Sequence, residues 1–151
     1  GTVNLSIAQC AHDAGIKTLL VGSGADELFC GYGIFDTLRD SEEKCEKQRN
    51  EKVKNVNAHD VTREKKCAAK YGITIHTPYL DETFSSEALL IPAIQNLRGK
   101  YGKLRKNTLR VLAEKIGVPK EIVTAPKKAM QYGSGVQKKI PQATKEAKEN
   151  E

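Results

Sequence analysis

The sequence has no tryptophan, a single methionine and only 5% aromatic residues. Its core must therefore be filled by aliphatic and small side chains, with few of the large rings that dominate many interiors. No apolar run approaches the roughly 20 residues that a membrane-spanning helix requires. The first residues, Gly1-Thr2-Val3-Asn4, lack the basic stretch before an apolar one that marks a signal peptide. A membrane is thus not an expected partner, and a cytoplasmic location is the expectation. There is no C-x-x-C pair. Cys10, Cys30, Cys45 and Cys67 stand far apart with no histidine at zinc-ligand spacing, so four free thiols in a reducing compartment are expected. His12, His59 and His76 are equally scattered, and they define no nucleophile–histidine arrangement. No internal repeat is present.

At 151 residues the chain fits one domain with a core of its own. Its 38% hydrophobic content is too high for a disordered chain, and 29% charge with few aromatics suits a mostly helical one. A first residue other than methionine is what a piece of a longer chain, or a processed product, would show. The formal charge of +6 raises the question of nucleic acid. The basic residues alternate with acidic ones, as in Ser41-Glu42-Glu43-Lys44-Cys45-Glu46-Lys47, and cluster only at Lys65-Lys66, Lys127-Lys128 and Lys138-Lys139. That pattern reads as solvated helix faces, not as a duplex-binding stripe. A nucleic-acid domain is the less favoured reading.

Val3, Ile7, Cys10, Ala11 and Ala14 recur at helical spacing, and Gly15 follows where a left-handed cap residue is expected. Thr18-Leu19-Leu20-Val21 is a short apolar run bounded by glycine, the pattern of a strand buried on both faces of a parallel sheet. Gly22-Ser23-Gly24-Ala25 then forms a tight loop, and Asp26-Glu27 open a helix carrying Leu28, Phe29, Tyr32, Ile34 and Phe35. Helix, strand, glycine loop and helix make an α/β crossover unit. Residues 41–57 read as a charged exposed helix or a linker. Asp60 can cap a helix that Gly72 stops, and Ile73 to Thr77 gives a short extended passage. Helices follow over Leu80–Leu90 and Leu104–Ile116, the second closed by Gly117, and Pro119 starts a short one through Val123. The polar end, 141–151, is expected to fray from a domain spanning 1–140.

Chemistry concentrates in the glycine loop. Open α/β sheets bind ligands beyond the carboxyl ends of their strands, and glycines let the backbone approach a phosphate. Amide groups opening the next helix favour an anion. Asp26 there can supply a hard oxygen to magnesium, or it can simply cap its helix.

The run Val21-Gly22-Ser23-Gly24-Ala25-Asp26-Glu27-Leu28-Phe29-Cys30-Gly31-Tyr32 resembles the S-G-E-G-A-D-E-L-F-G-G-Y signature of asparagine synthetases. Thr77-Pro78-Tyr79-Leu80-Asp81 is similar to that family's V-P-F-L-D. Leu109-Arg110 through Pro126-Lys127-Lys128-Ala129-Met130 is similar to its L-R-K…R-x-K-x-x-F region, and Asp60 to Arg63 lies where it has N-x-x-R-D-D. The motifs occur in the same order over about Ile7 to Gly135. The lysine segment most resembles divergent asparagine synthetase domain-containing proteins.

The resemblance implies an α/β fold: the C-terminal part of an adenine-nucleotide alpha-hydrolase-like (PP-loop ATPase) domain, predominantly helical with a short parallel-sheet remnant. It implies ATP and Mg2+ as cofactors and a small carboxylate, aspartate, as substrate. The carboxylate is adenylated, pyrophosphate leaves, and ammonia attacks the acyl-adenylate. Val21, Gly22, Ser23, Gly24, Asp26 and Glu27 would form the nucleotide-binding segment. Asp26 would hold the metal, and Lys127 would be the catalytic cation on the phosphates. Asp81 is expected to be structural, as a cap, and Cys30 a packing residue. The family's S-G-G-x-D-S loop is not among these 151 residues, so that loop and a glutaminase are implied as a further N-terminal half or separate subunit. Ser23 stands where the signature has glutamate, and serine is no carboxylate base. Two readings stay open: part of an ATP-dependent amidoligase, or a non-catalytic nucleotide-binding or interaction module.

Overall fold

The computed structural model describes residues 2–128 and 133–135. The expectations for Ala129, Met130 and the polar end fall outside the described residues. Helix α1 (Thr2–Asp13) leads into strand β1 (Thr18–Leu20). Gly15, at φ 72°, ends α1 as the sequence predicts. Its N–H bonds to His12 O and that of Ile16 reaches Ala11 O, each at 2.9 Å, which satisfies the last carbonyls of the helix. The same i-to-i+5 closure recurs at Gly72 and Gly117, through Ile73 to Ala68 and Val118 to Ala113.

Strand β1 pairs in parallel with β2 (Thr74–His76), with Leu19 opposite Ile75. These two strands form the one sheet among the described residues. The expectation of burial on both faces is corrected. Leu19 and Ile75 pack with Ala8, Ala11, Ala68 and Ile73, whereas Leu20 is 74% exposed. Helix α1 and a later helix, α4 (Thr62–Ala69), cover only one face. The buried face of α1 is set by Ala8 and Ala11; Ile7, Cys10 and Ala14 are exposed. Two alanines at the contact let α1 lie close to α4, where a bulkier stripe would hold the helices apart.

The excursion from β1 to β2 is mostly helical. A single turn, α2 (Ala25–Leu28), is followed by a 3-10 segment Gly33–Leu38 and then α3 (Glu42–Val56). A π-helical turn, Asn57–Val61, joins α3 to α4 (Thr62–Ala69). Asp60 therefore lies inside a continuous helical passage and caps nothing, contrary to its sequence reading. The highly charged stretch 41–57 is neither linker nor wholly exposed helix. Ser41 caps α3 by accepting from Lys44 N, and Cys45, Arg49 and Val56 are buried. Arg49 donates to Ile91 O (2.6 Å) and Leu89 O (3.1 Å) and pairs with Glu46, which accepts from Ala93 N. A buried guanidinium is tolerated here because these acceptors replace water. Periodicity of apolar residues cannot reveal a helix whose inward face contains an ion pair.

After β2, a 3-10 turn Pro78–Leu80 precedes α5 (Glu82–Leu89), then come 3-10 turns Ala93–Leu97 and Gly102–Leu104, α6 (Asn107–Lys115) and α7 (Lys120–Val123). Among the described residues the core is three small clusters: around Phe35, Cys30 and Leu97; around Ala8 and Ile73; and around Leu28, Phe29 and Ala88. Asp81 caps α5, accepting from Thr83 N at 3.0 Å and Phe84 N at 3.2 Å. Asp81→Ala is expected to lower unfolding stability by about 1 kcal/mol, as loss of an N-cap does, seen as a lower urea midpoint with an unchanged slope.

Candidate functional site

Val21 continues the sheet by one bond, its N–H donating to His76 O at 2.9 Å. The chain then leaves the sheet through Gly22, Ser23 and Gly24. Gly24 has φ 99°, and a side chain there would meet Leu80 Cδ2 at 2.5 Å, so the loop is seated on the Tyr79-Leu80 turn only as glycine. Gly22 is exposed and its carbonyl accepts from Ala25 N at 3.2 Å. Ser23 turns toward α4, where its hydroxyl donates to Glu64 Oε2 at 2.6 Å.

The helix expected from Asp26 through Phe35 is cut short after Leu28. Cys30 takes φ 56°, a left-handed conformation that ends the turn, and Gly31 N bonds back to Asp26 O at 2.7 Å. This is a glycine-like backbone position occupied by cysteine, at a cost of about 1–2 kcal/mol. Gly31 must be bare, since an added Cβ would lie 2.0 Å from Asp26 Oδ1. A four-residue helix carries little macrodipole. The helix N-terminus expected to attract an anion is therefore a weak one, and the positive field of the site comes from side chains.

Lys106 Nζ lies 3.1 Å from Asp26 Oδ1, and Lys127 Nζ lies 3.2 Å from Asp26 Oδ2. Both lysine side chains are four-fifths covered. Lys127, taken alone, reads as a solvated surface lysine; the structure instead places it half-buried against the predicted carboxylate. Its ammonium also sits 5.2 Å from the Tyr32 ring centre, with Lys52 at 5.3 Å from the same ring. A ring close to cations attracts them through its electron-rich π system. The Tyr32 hydroxyl donates to Glu27, a carboxylate only 5% exposed. Burial first, then Glu27 as acceptor, pushes the Tyr32 hydroxyl far above its ordinary range, so it stays a proton donor. Glu27 thus faces inward beneath the site. Among the described residues three lysines, 52, 106 and 127, meet the carboxylates of Asp26 and Glu27, with Asp60 also acting on the Tyr32 hydroxyl, so fixed charges of both signs converge here.

Arg110 holds the Lys127 segment in place. It is 8% exposed on α6 and donates to four carbonyls: Arg105 O at 3.0 Å, Leu104 O at 3.4 Å, Ala125 O at 2.9 Å and Val123 O. The planar guanidinium fork fits several carbonyls at once, which a lysine cannot do. Residues 123–125 are thereby fixed to α6, and Lys127 follows two residues later. A cleft of about 420 Å³ opens here, lined by Asp26, Lys106 and Lys127 and by apolar Leu109, Val118 and Ile122.

The structure thus brings Asp26 and Lys127 together from 101 residues apart. Of the other loop residues expected at the site, Val21, Gly22 and Gly24 shape the exit from β1, while Ser23 faces Glu64. Sequence reasoning missed Lys106, Lys52, Glu64 and Arg110 as site residues. Arg110 stood within a recognised motif, but its target carbonyls are invisible in sequence. Lys106 and Lys52 look like any residue of a charged surface. Among the described residues no three His, Cys, Asp or Glu side chains gather as a metal site. A cation at Asp26 would take one protein carboxylate, and its remaining oxygens would come from a ligand or water.

Comparison with known proteins agrees with this arrangement of motifs. The family model described as asparagine synthase matches residues 1–50 and 38–150. The chain belongs to the asparagine synthase family. The asparagine synthetase (glutamine-hydrolyzing) of Mus musculus is 34% identical over 74% of this chain and 20% of its own length. Asparagine synthetase (glutamine-hydrolyzing) 1 of Arabidopsis thaliana is 30% identical over 80% of this chain and 21% of its own. A Methanocaldococcus jannaschii relative, provisionally named an asparagine synthetase, is 30% identical over 91% of this chain and 31% of its own. The chain spans a third or less of the length of these relatives. No helix among the described residues is long and apolar enough to cross a membrane.

All four cysteines are free. Cys30 is fully buried, donates to Ala93 O at 3.6 Å, and burial pushes its thiol up to about 12. The folded state favours the protonated thiol, so Cys30 is packing and no nucleophile. At pH 8 iodoacetamide is expected to alkylate exposed Cys10 while Cys30 stays unlabelled until the chain is denatured, as read by peptide mass spectrometry. Labelling of Cys30 in the folded protein at the rate of Cys10 would contradict its assignment.

Proposed function

We propose that this chain forms the pyrophosphate- and magnesium-facing part of an ATP-dependent ligase that converts aspartate to asparagine. The observation that carries this reading is the convergence of Lys106 and Lys127 on Asp26, in a chain of the asparagine synthase family. Charge is what such a reaction most needs managed. The aspartate side-chain carboxylate displaces pyrophosphate from the α-phosphorus of ATP, and ammonia then displaces AMP from the acyl carbon. Pyrophosphate leaves as a concentrated anion, and fixed cations beside it stabilise the transition state in which that charge develops.

Asp26 fits a role on magnesium. Among the described residues its Oδ1 is buried and accepts no hydrogen bond, with the Lys106 ammonium beside it. A single carboxylate with phosphate oxygens completing the sphere is a usual magnesium arrangement. Bound there, the metal supplies charge neutralisation across the phosphates. The lysines hold Asp26 in place in the free protein and are positioned to turn to the phosphates on binding. Lys127 carries the larger share, because Arg110 fixes the chain two residues before it and its ammonium rests by the Tyr32 ring. The bare backbone of Gly22 lets a nucleotide approach the end of β1 closely. The PP-loop of the domain and the source of ammonia are supplied from outside residues 1–151 in this reading, by a further N-terminal half or a partner subunit.

A second reading, a nucleotide-binding module without amide synthesis, is favoured by Ser23 in place of the signature glutamate. The two are separated by turnover of the whole protein that contains residues 1–151. Aspartate- and ATP-dependent pyrophosphate release is expected, and Lys127→Met should slow it about 100-fold, the scale of losing one fixed transition-state donor. No pyrophosphate release from the unmodified protein would refute the ligase and leave the binding module.

A further inference from the structure

We infer that Glu64 supplies, through Ser23, the proton acceptor for the amide-forming step. This rests on the ligase reading above. Ser23 Oγ donates to Glu64 Oε2 at 2.6 Å, a short charge-assisted bond, and both side chains are half-buried. The two come from elements far apart in sequence, the loop after β1 and helix α4. Ser23 precedes Asp26 by three residues, which limits their separation to about 11 Å even for extended chain. The pair therefore lies beside the charged cluster and on the exit side of the strand, where ligands of α/β sheets bind.

The surroundings of Glu64 support a proton-accepting role. Arg63 pairs with Asp60, so the guanidinium next in sequence is already engaged and does not neutralise Glu64. The π-helical turn Asn57–Val61 lies immediately before α4. It adds a residue to the turn and so rotates every following side chain relative to α3, Glu64 among them. Glu64 has Ser23 as its partner in the structure, and Ser23 keeps oxygen lone pairs free to accept a second hydrogen bond.

Ammonia attack needs such a relay. The nitrogen lone pair forms the C–N bond at the acyl carbon of the aspartyl adenylate, which leaves a positively charged nitrogen. One proton of that nitrogen passes to Ser23 Oγ as the Ser23 hydroxyl proton passes to Glu64 Oε2. The C–O bond to AMP then breaks, and its electron pair leaves with the AMP phosphate. Serine alone has no place to send the proton; serine bonded to a carboxylate does. Glu64 is thus a positioning and proton-accepting partner that acts through Ser23.

The test separates the two half-reactions in the whole protein containing residues 1–151. Pyrophosphate released in a single turnover with aspartate and ATP reports adenylation, and asparagine formed on adding ammonium reports the amide step. Glu64→Gln keeps the shape and removes the acceptor. It is expected to leave the pyrophosphate burst within about twofold of the unmodified protein and to slow asparagine formation about 100-fold, the lower end of general-base contributions. The exchanged variant, Ser23→Glu with Glu64→Ser, returns a carboxylate to the same place and should recover at least a tenth of the original asparagine rate. Asparagine formation at the original rate in Glu64→Gln overturns the proposal, and so does loss of its pyrophosphate burst, which would assign Glu64 to folding or adenylation. Absence of a burst in the unmodified protein would instead refute the ligase reading on which the proposal rests.

Discussion

The parallel pairing of β1 with β2 is the constraint on which the remaining architecture depends. Parallel neighbours cannot be joined by a tight turn, because the chain must return to the end at which it began. Here the return occupies residues 21–73 and contains the glycine loop, α2, α3 and α4. Val21 bonds to His76, so the loop leaves the sheet just as the Thr77–Leu80 passage arrives. Gly24 on Leu80 and Ser23 on Glu64 then fix the loop from two directions. Six paired residues thereby position a carboxylate, Asp26, at a rim where other parts of the chain can reach it.

What reaches it is positive charge, delivered by buried guanidinium staples. Arg49 ties α3 to residues 89–91, and Arg110 ties α6 to residues 123–125. Each satisfies backbone carbonyls that would otherwise be buried unpaired, at about 1–3 kcal/mol apiece. The Arg110 staple also limits where Lys127 can lie, because Lys127 is two residues beyond the chain it secures. Two lysines sharing one carboxylate are an unfavourable arrangement by themselves, since one ammonium is always short of a counter-charge. In the proposed ligase a polyanion with its own divalent cation would resolve that mismatch, with Asp26 holding the cation and the lysines facing the phosphates.

The sequence made the local punctuation legible. Gly15, Gly72 and Gly117 stop helices as expected, Pro119 opens α7, and Asp81 caps α5. It made the family legible too, through motifs that retain their order. It failed where burial is polar. The helix over 42–56 looked solvent-facing because its inward face is Cys45, Arg49 and Val56, and hydrophobic periodicity does not register a buried arginine. The helix after Asp26 looked long because Leu28, Phe29, Tyr32 and Phe35 are apolar at helical spacing. Cys30 in a left-handed conformation breaks it, and nothing about a cysteine announces that. Lys106 and Glu64 were invisible for a third reason: each gains its meaning only from a partner 80 or 41 positions away.

The central claim is that Asp26, Lys106 and Lys127 form one site for a magnesium-bound pyrophosphate group. Calorimetric titration of the whole protein with inorganic pyrophosphate, with and without Mg2+, tests it most directly. The account predicts binding that strengthens at least tenfold with Mg2+, and an Asp26→Asn variant in which that strengthening is gone while the fold persists. Binding indifferent to Mg2+ in the unmodified protein, or a magnesium effect that survives in Asp26→Asn, would contradict it.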